Sequence, residues 1–270
     1  MKVISLTSRK GGVLKSTHAI NLAAALGMDG KQVLLVDTDA QCNSTETLIM
    51  GKTRKDPRLL SPSSYDVLLD EGSKLDLSKV IRKNTREENV HLLPSSSDMD
   101  GIDAQLSEQA LWGLALKRRL PELAAMGYDY MIIDTPPAST RLKSVALYAS
   151  DLAILPVIPS KYALDGLAEV IEEIGMIGEA TRRTVNYRVL LGRVRYYNRK
   201  LRKPSMRAYL ELAEFLEGGR LMRTMIPDDD LALNAEEWSS SIIRYAPKSE
   251  ISRAYIKLML EVEECLNQNG

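Results

Sequence analysis

Cysteine is nearly absent. Two residues, Cys42 and Cys265, stand far apart in a chain of 270. That excludes a disulfide framework and leaves no paired metal-ligand spacing, so both are expected as reduced thiols. Aromatic residues are scarce at 5%, with one Phe and two Trp. Leu, Ile, Val, Ala and Met must therefore pack the core, within an ordinary hydrophobic fraction of 44%. Net charge is missing too: 36 Lys and Arg balance 36 Asp and Glu. No global field draws the chain to nucleic acid or acidic lipid, so any such binding must come from a local patch. No apolar run approaches the ~20 residues of a membrane helix. The run Val3 to Leu6 is also too short for an export core. The expectation is a soluble, cytoplasmic protein. Length suits one large α/β domain as well as two smaller ones. With no repeat, low-complexity tract or linker, residues 1–270 read as a single domain.

What is present is an alternation of short β-branched runs with longer stretches of helical period. Strands are expected at Val3 to Thr7, Val33 to Val36, Val90 to Leu93, Tyr130 to Asp134, Leu152 to Ile158 and Val189 to Val194, with a short one at Met222 to Ile226. Helices are expected at Ser16 to Leu26, Ala104 to Ala125, Ala163 to Ile177, Met206 to Leu216 and Ser249 to Leu266. The polar segment from Gly51 to Asn89 reads as loop and short helices inserted into the core. This order predicts an α/β fold, a doubly wound, mostly parallel sheet with helices on both faces.

The first strand runs into Ser8-Arg9-Lys10-Gly11-Gly12-Val13-Leu14-Lys15-Ser16-Thr17, and a helix follows. Strand, glycine-rich turn and helix make a phosphate cradle, because loop and first-turn N–H groups converge on one point. Gly11 and Gly12 allow close backbone approach. Lys15 is placed to reach the β- and γ-phosphates, Ser16 to offer its hydroxyl to Mg2+, and Thr17 to donate to the α-phosphate. The common pattern G-x-x-x-x-G-K-[ST] is not met, since Arg9 and Leu14 stand where its glycines belong.

The motif Lys-Gly-Gly-x-x-Lys-Ser resembles the ParA/MinD family of ATPases with a deviant Walker A box. The resemblance implies a P-loop NTPase of that type, using ATP and Mg2+. It implies that Lys10 reaches across an ATP-bound homodimer to the partner's phosphates, while Lys15 acts in its own site. Leu14 departs from the family's glycine; its N–H remains, and a positive φ there would bring strain. Asp37-Thr38-Asp39-Ala40-Gln41-Cys42-Asn43-Ser44-Thr45 looks like the family's second acidic segment, with Ala40 for Pro and Cys42 for Gly. Asp39 then matches the aspartate that orients the attacking water, with a water-mediated Mg2+ contact also open to it. Met131 to Pro137 looks like the Walker B strand and switch, so Asp134 would hold Mg2+ through water. The resemblance makes Asn198, Pro227 and Asp228 candidates for the adenine site.

The stretch from Arg182 to Arg223 is strongly basic. Arg195, Arg199, Lys200, Arg202, Lys203, Arg207, Arg220 and Arg223 are candidate contacts to DNA phosphates, with Tyr196 and Tyr197 interleaved. The alternative is a solvated face, or arginines that serve the nucleotide and the dimer. Partition members of the family bind non-specific DNA as the ATP dimer and respond to a ParB-type adaptor or cargo protein. A partition or positioning ATPase at the nucleoid is therefore implied. The acidic chain end at Glu261, Glu263 and Glu264 argues against a membrane-seeking helix of the MinD kind. A strand at the very start leaves no room for an operator-reading domain before it, so non-specific binding is the expectation. Two alternatives stay open: a MinD-like membrane regulator, and a nucleotide-switched binding module with negligible turnover, which Leu14 motivates.

Overall fold

The computed structural model describes residues 1–49, 59–137, 141–160, 163–182, 184–198, 200–216 and 218–268. Of the candidate residues, Arg199 lies outside them, as do residues 50–58 of the polar insertion. Six parallel strands form the central sheet in the order β3-β2-β4-β1-β5-β6. They are β1 (Lys2–Leu6), β2 (Val33–Asp37), β3 (Val90–Leu93), β4 (Tyr130–Asp134), β5 (Leu152–Val157) and β6 (Tyr187–Leu191). β1 lies between β4 and β5, and β2 between β3 and β4.

The strands are apolar along both faces because helices cover both. Successive side chains alternate sides. Ile4, Leu6, Val33 and Leu35 pack on one face, with α1 (Lys15–Met28). Val3, Leu34, Val36, Met131 and Ile133 face the other. The chain-order helices are α2 (Asn43–Leu48), α3 (Ser64–Leu69), α4 (Leu77–Val80), α5 (Ile102–Glu108), α6 (Leu120–Ala125), α7 (Arg141–Ala149) and α8 (Ala163–Thr181). α9 (Lys203–Phe215), α10 (Leu231–Glu237), α11 (Ile242–Tyr245) and α12 (Glu250–Asn267) complete the set. α12 buries Ile251, Tyr255, Leu258 and Val262 against α1 and its sheet face. α3, α5 and α7 supply the opposite layer, and α8 with α9 closes over β5 and β6.

Three expectations are corrected. The single helix expected at Ala104 to Ala125 is broken into α5, two 3-10 turns and α6. Gln109 is extended, with φ −81° and ψ 129°, and its Nε2 donates to the Leu69 carbonyl at 3.3 Å. Gly113 lies so close to the Tyr148 ring that a Cβ would come within 3.0 Å, and Pro121 starts α6 afresh. Met222 to Ile226 is not a strand. It runs beside β6 through single contacts: Leu221 bridges Val189, Met222 N donates to the Val189 carbonyl at 2.9 Å and Ile226 N to the Leu191 carbonyl at 3.0 Å, while Pro227 bridges Val194 beyond the end of β6. β6 stops at Leu191 rather than Val194, because Gly192 packs against the buried His18 ring and Arg193 turns to φ 52°. Sequence periodicity also missed α7 and a small hairpin, β7 (Tyr196–Tyr197) with β8 (Lys200–Leu201).

Candidate nucleotide site and basic face

Register builds the site. Leu6 pairs with Asp134, and Asp134 pairs with Asp37, so the ends of β1, β4 and β2 lie side by side. The chain leaving β1 therefore turns directly above two carboxylates. Thr135 Oγ1 donates to the Leu6 carbonyl at 2.7 Å, and Thr38 Oγ1 to the Asp134 carbonyl at 2.7 Å. These bonds fix the three strand ends to one another.

The loop reaches α1 through two left-handed residues, Gly12 at φ 72° and Leu14 at φ 64°. Glycine adopts such a φ freely; leucine does not. No side chain caps α1. Its first-turn N–H groups thus open into a cavity of about 310 Å3. Gly11, Gly12, Leu14, Lys15, Ser16, Thr17 and Asp39 all line it. Gln41, Asn43 and Thr47 form one wall, and Ala232, Ala235, Ser240 and Ile242 another.

Other candidates lie elsewhere. Val13 is buried, facing the space between the loop and α8. Lys10 lines that same space, and its side chain runs along Gly166 of α8, whose Cβ position is 3.6 Å from Lys10 Cε. Arg9 beside it is ion-paired with Glu169. Asn198 is at the tip of the β7–β8 hairpin, with φ 49°. Pro227 borders a groove against α12, and Asp228 a cavity with Arg193 and Arg195. None of these last three lines the loop cavity; residues 232–242 hold that side instead.

Charge is concentrated beneath the loop. Asp134 is fully buried; burial raises its pKa, while the Ser16 and Ser44 hydroxyls and Lys15 hold it back. Ser44 Oγ donates to Asp134 Oδ2 at 2.7 Å. Burial also raises Asp37, with the neighbouring Asp134 adding to it, against hydrogen bonds from Thr45 and Asp39. Thr45 donates to Asp37 Oδ2 twice, from N at 2.9 Å and from Oγ1 at 2.7 Å, so Asp37 orders the turn rather than facing the cavity. Asp39 accepts from the Gln41 N–H at 3.0 Å and keeps an edge on the cavity. Lys15 is buried, which lowers its pKa, while Asp134 and Asp39 favour its charged form.

These donors fit Mg2+. Asp134 Oδ1 is buried and has no well-formed hydrogen bond among the described residues. A buried carboxylate oxygen left unpaired is unfavourable, and a cation would satisfy it. One hydroxyl and one or two carboxylates are hard oxygen donors of the kind Mg2+ takes beside phosphates. Among the described residues no three His, Cys, Asp or Glu form an all-protein cage.

Asn21 belongs to none of the sequence motifs, yet it shapes the site. Its Oδ1 accepts from Ile242 N at 2.8 Å and Ile243 N at 3.3 Å, and its Nδ2 donates to the Thr17 carbonyl at 2.8 Å. It therefore ties α11, and with it the 232–242 wall, to the first turn of α1. A lone Asn in an Ala- and Leu-rich helix was the available signal.

The basic residues are divided in the structure. Arg207 pairs with Glu211 at 2.7 Å, and Arg223 with Glu261 at 3.5 Å and with Glu264. Arg220 lies 4.1 Å over the Tyr187 ring. Arg195 Nε bonds Asp228 at 2.7 Å. Lys200, Arg202 and Lys203 have no carboxylate in ion-pair reach among the described residues, and Tyr196 and Tyr197 are exposed beside them. Arg202 lies 6.0 Å from the Tyr197 ring centroid.

Comparison with known proteins places this geometry. A family model described as an AAA domain matches residues 1–187. The chain is 31% identical to the sporulation initiation inhibitor protein Soj of Bacillus subtilis, over 97% of this chain and 98% of that one. It is 30% identical to the chromosome partitioning protein ParA of Caulobacter vibrioides, over 97% and 94%. A solved cobyrinic acid a,c-diamide synthase from Mycobacterium smegmatis, with bound ATP analogue and magnesium, superposes with a TM-score of 0.73 at 28% identity, covering 93% and 98%. With a six-stranded parallel sheet, an open phosphate loop over paired carboxylates and relatives matched along almost its whole length, this chain belongs to the ParA/MinD family of P-loop ATPases.

Proposed function

We propose that this protein is a ParA-like ATPase that binds ATP with Mg2+, dimerises on it, and drives partition or positioning of DNA or another cargo. The observation that carries the reading is the loop cavity, where an uncapped helix start and Lys15 stand above Asp134, whose Oδ1 is unpaired. The N–H groups of the loop and of α1 bind the phosphates, and Lys15 neutralises their charge. Ser16 and Asp134 hold Mg2+, which when bound supplies further charge neutralisation at the phosphates. Asp39, at the cavity edge, orients the attacking water; positioning and electrostatics carry most of phosphoryl transfer. Ala232, Ala235 and Ile242, with the Ser240 hydroxyl among them, form the cavity wall that would face the base. Lys10 acts on the partner's phosphates in the dimer.

Non-specific DNA is the second ligand. Lys200, Arg202 and Lys203 with the exposed tyrosines support that part, and chromosome partitioning in the relative's name agrees with it. A ParB-type adaptor or a cargo protein stimulates turnover. Nucleotide titration and phosphate release on two variants test the core of the reading. Lys15→Ala loses nucleotide binding by about a hundredfold or more, as expected when a buried charge-assisted contact is removed. Asp39→Ala still binds nucleotide but slows hydrolysis by about a hundredfold. Equal hydrolysis by Asp39→Ala and wild type removes the catalytic assignment.

A further inference from the structure

The Arg193–Arg195 pair already holds an anion of the protein's own. Arg193 Nε donates to Asp228 Oδ1 at 3.0 Å, and Arg195 Nε to Asp228 Oδ2 at 2.7 Å. Each guanidinium thus takes one oxygen of the same carboxylate. Two non-bridging oxygens of a phosphodiester present the same pair of acceptors. Val194, between the two arginines, is fully buried, which anchors the segment while both guanidinium groups stay substantially exposed. Arg202 borders the same cavity of about 390 Å3, with Pro204 and Ser205 at the start of α9. The framework is tied: Arg195 N donates to Ser205 Oγ at 2.9 Å, and Arg202 N to the Arg195 carbonyl at 2.8 Å.

Asp228 is also joined to the nucleotide cavity. Its own N–H donates to the Val194 carbonyl at 2.8 Å. One residue later, Asp229 Oδ1 accepts from Leu231 N, the first residue of α10, at 3.0 Å. Ala232 and Ala235 of that helix line the loop cavity. Three arginines against one carboxylate leave the cavity net positive even with Asp228 in place.

We propose that Arg193, Arg195 and Arg202 form a site for a DNA backbone phosphate, that the Asp228 carboxylate occupies it as an internal substitute, and that displacement of the segment leading into α10 exchanges one for the other. The inference rests on the DNA-binding part of the proposed function and adds the residues and the switch. A nucleotide that shifts the Ala232 and Ala235 wall moves the chain that carries Asp228. Phosphate and Asp228 then compete for the same two guanidinium groups, so release of the carboxylate raises affinity for DNA.

The test is fluorescence anisotropy of a labelled duplex against wild type, Asp228→Asn and the double variant Asp228→Asn/Arg195→Ala, without nucleotide and over a salt series. Working without nucleotide keeps any effect on base binding out of the readout. Asp228→Asn is expected to bind about fivefold or more tighter than wild type, with a salt slope steeper by about one for each additional DNA phosphate neutralised. The double variant is expected to lose that gain. No gain in Asp228→Asn overturns the latch, as does a gain that survives in the double variant. Wild type that fails to bind duplex with ATP and Mg2+ overturns the DNA reading itself. A gain seen on anionic phospholipid vesicles and not on duplex overturns the assignment to DNA.

Discussion

Leu14 holds φ 64° at the start of α1, where the left-handed region is strained for an L-residue. The strain is kept because the loop must turn there to aim the Lys15 and Ser16 N–H groups into the cavity. A β-branched side chain tolerates that φ worse still. Leu14→Ile is therefore expected to destabilise the fold by about 1 kcal/mol, read as a lower urea midpoint with an unchanged slope. An unchanged midpoint would show the φ is not imposed. His18, one turn further on, is fully buried with Nδ1 2.9 Å from the Tyr255 hydroxyl. Burial pushes its pKa down to about 3 from 6.5. The folded ring stays neutral where the unfolded ring takes a proton. Its contribution is therefore complete above pH 6.5 and is lost as pH falls toward 3, at up to roughly 1.4 kcal/mol per pH unit. The raised carboxyls of Asp37 and Asp134 act in the opposite sense, stabilising the fold as they protonate. The difference between wild type and His18→Gln cancels them. Chemical denaturation at several pH values should show wild type losing stability relative to the variant across that window; parallel profiles would count against a neutral buried ring.

At the level of elements, the strands were largely legible because β-branched runs of four to six residues have few other uses in a chain this poor in aromatics. Tyr130 to Asp134 and Leu152 to Val157 are of this kind. The loop was legible for a related reason: lysines, glycines and the following helix constrain one another. The break near Gln109 was not, because a side chain bonding carbonyls of α3 leaves no mark on local periodicity. The wall of the nucleotide cavity was hidden in the same way. It depends on Asn21 bridging α1 to α11 across more than two hundred residues, a contact that only the packed fold creates. Asn21→Ala leaves two buried N–H groups unpaired and is expected to destabilise by about 1–3 kcal/mol. It should also weaken ATP analogue binding, since the wall it holds is part of the cavity. Full affinity in that variant, measured by calorimetry, would detach the wall from the site.

For the molecule as a whole, charge balance conceals a local asymmetry. In the 182–223 stretch Arg193, Arg195, Arg207 and Arg223 are partnered by Asp228, Glu211, Glu261 or Glu264, and Arg220 is stacked on a ring, whereas Lys200, Arg202 and Lys203 at the β7–β8 hairpin and the start of α9 have no carboxylate in ion-pair reach among the described residues. Composition showed the stretch but not its partners, because the acids come from α9, α12 and the chain before α10. Lys10 is where the proposed dimer can be tested. It lies along Gly166 of its own chain, outside the loop cavity. Lys10→Ala should bind ATP analogue nearly as wild type does, yet fail to double in mass by light scattering when wild type does so. Retained dimerisation would remove its role across the interface.

The strand order also has a temporal meaning. Of the six strands β1 is made first, yet its two neighbours, β4 and β5, lie at residues 130–134 and 152–157. While the ribosome is still adding the first half of the chain, β2 and β3 can pair, but the strand that carries the phosphate loop has nothing to bond to. The three strand ends that support the loop come together only after Asp134 has emerged. The helix over α1, α12, is made after all six strands. The nascent protein thus gains its nucleotide cradle only once β4 has been made, so a chain interrupted before β4 carries the loop's sequence without the sheet that shapes it.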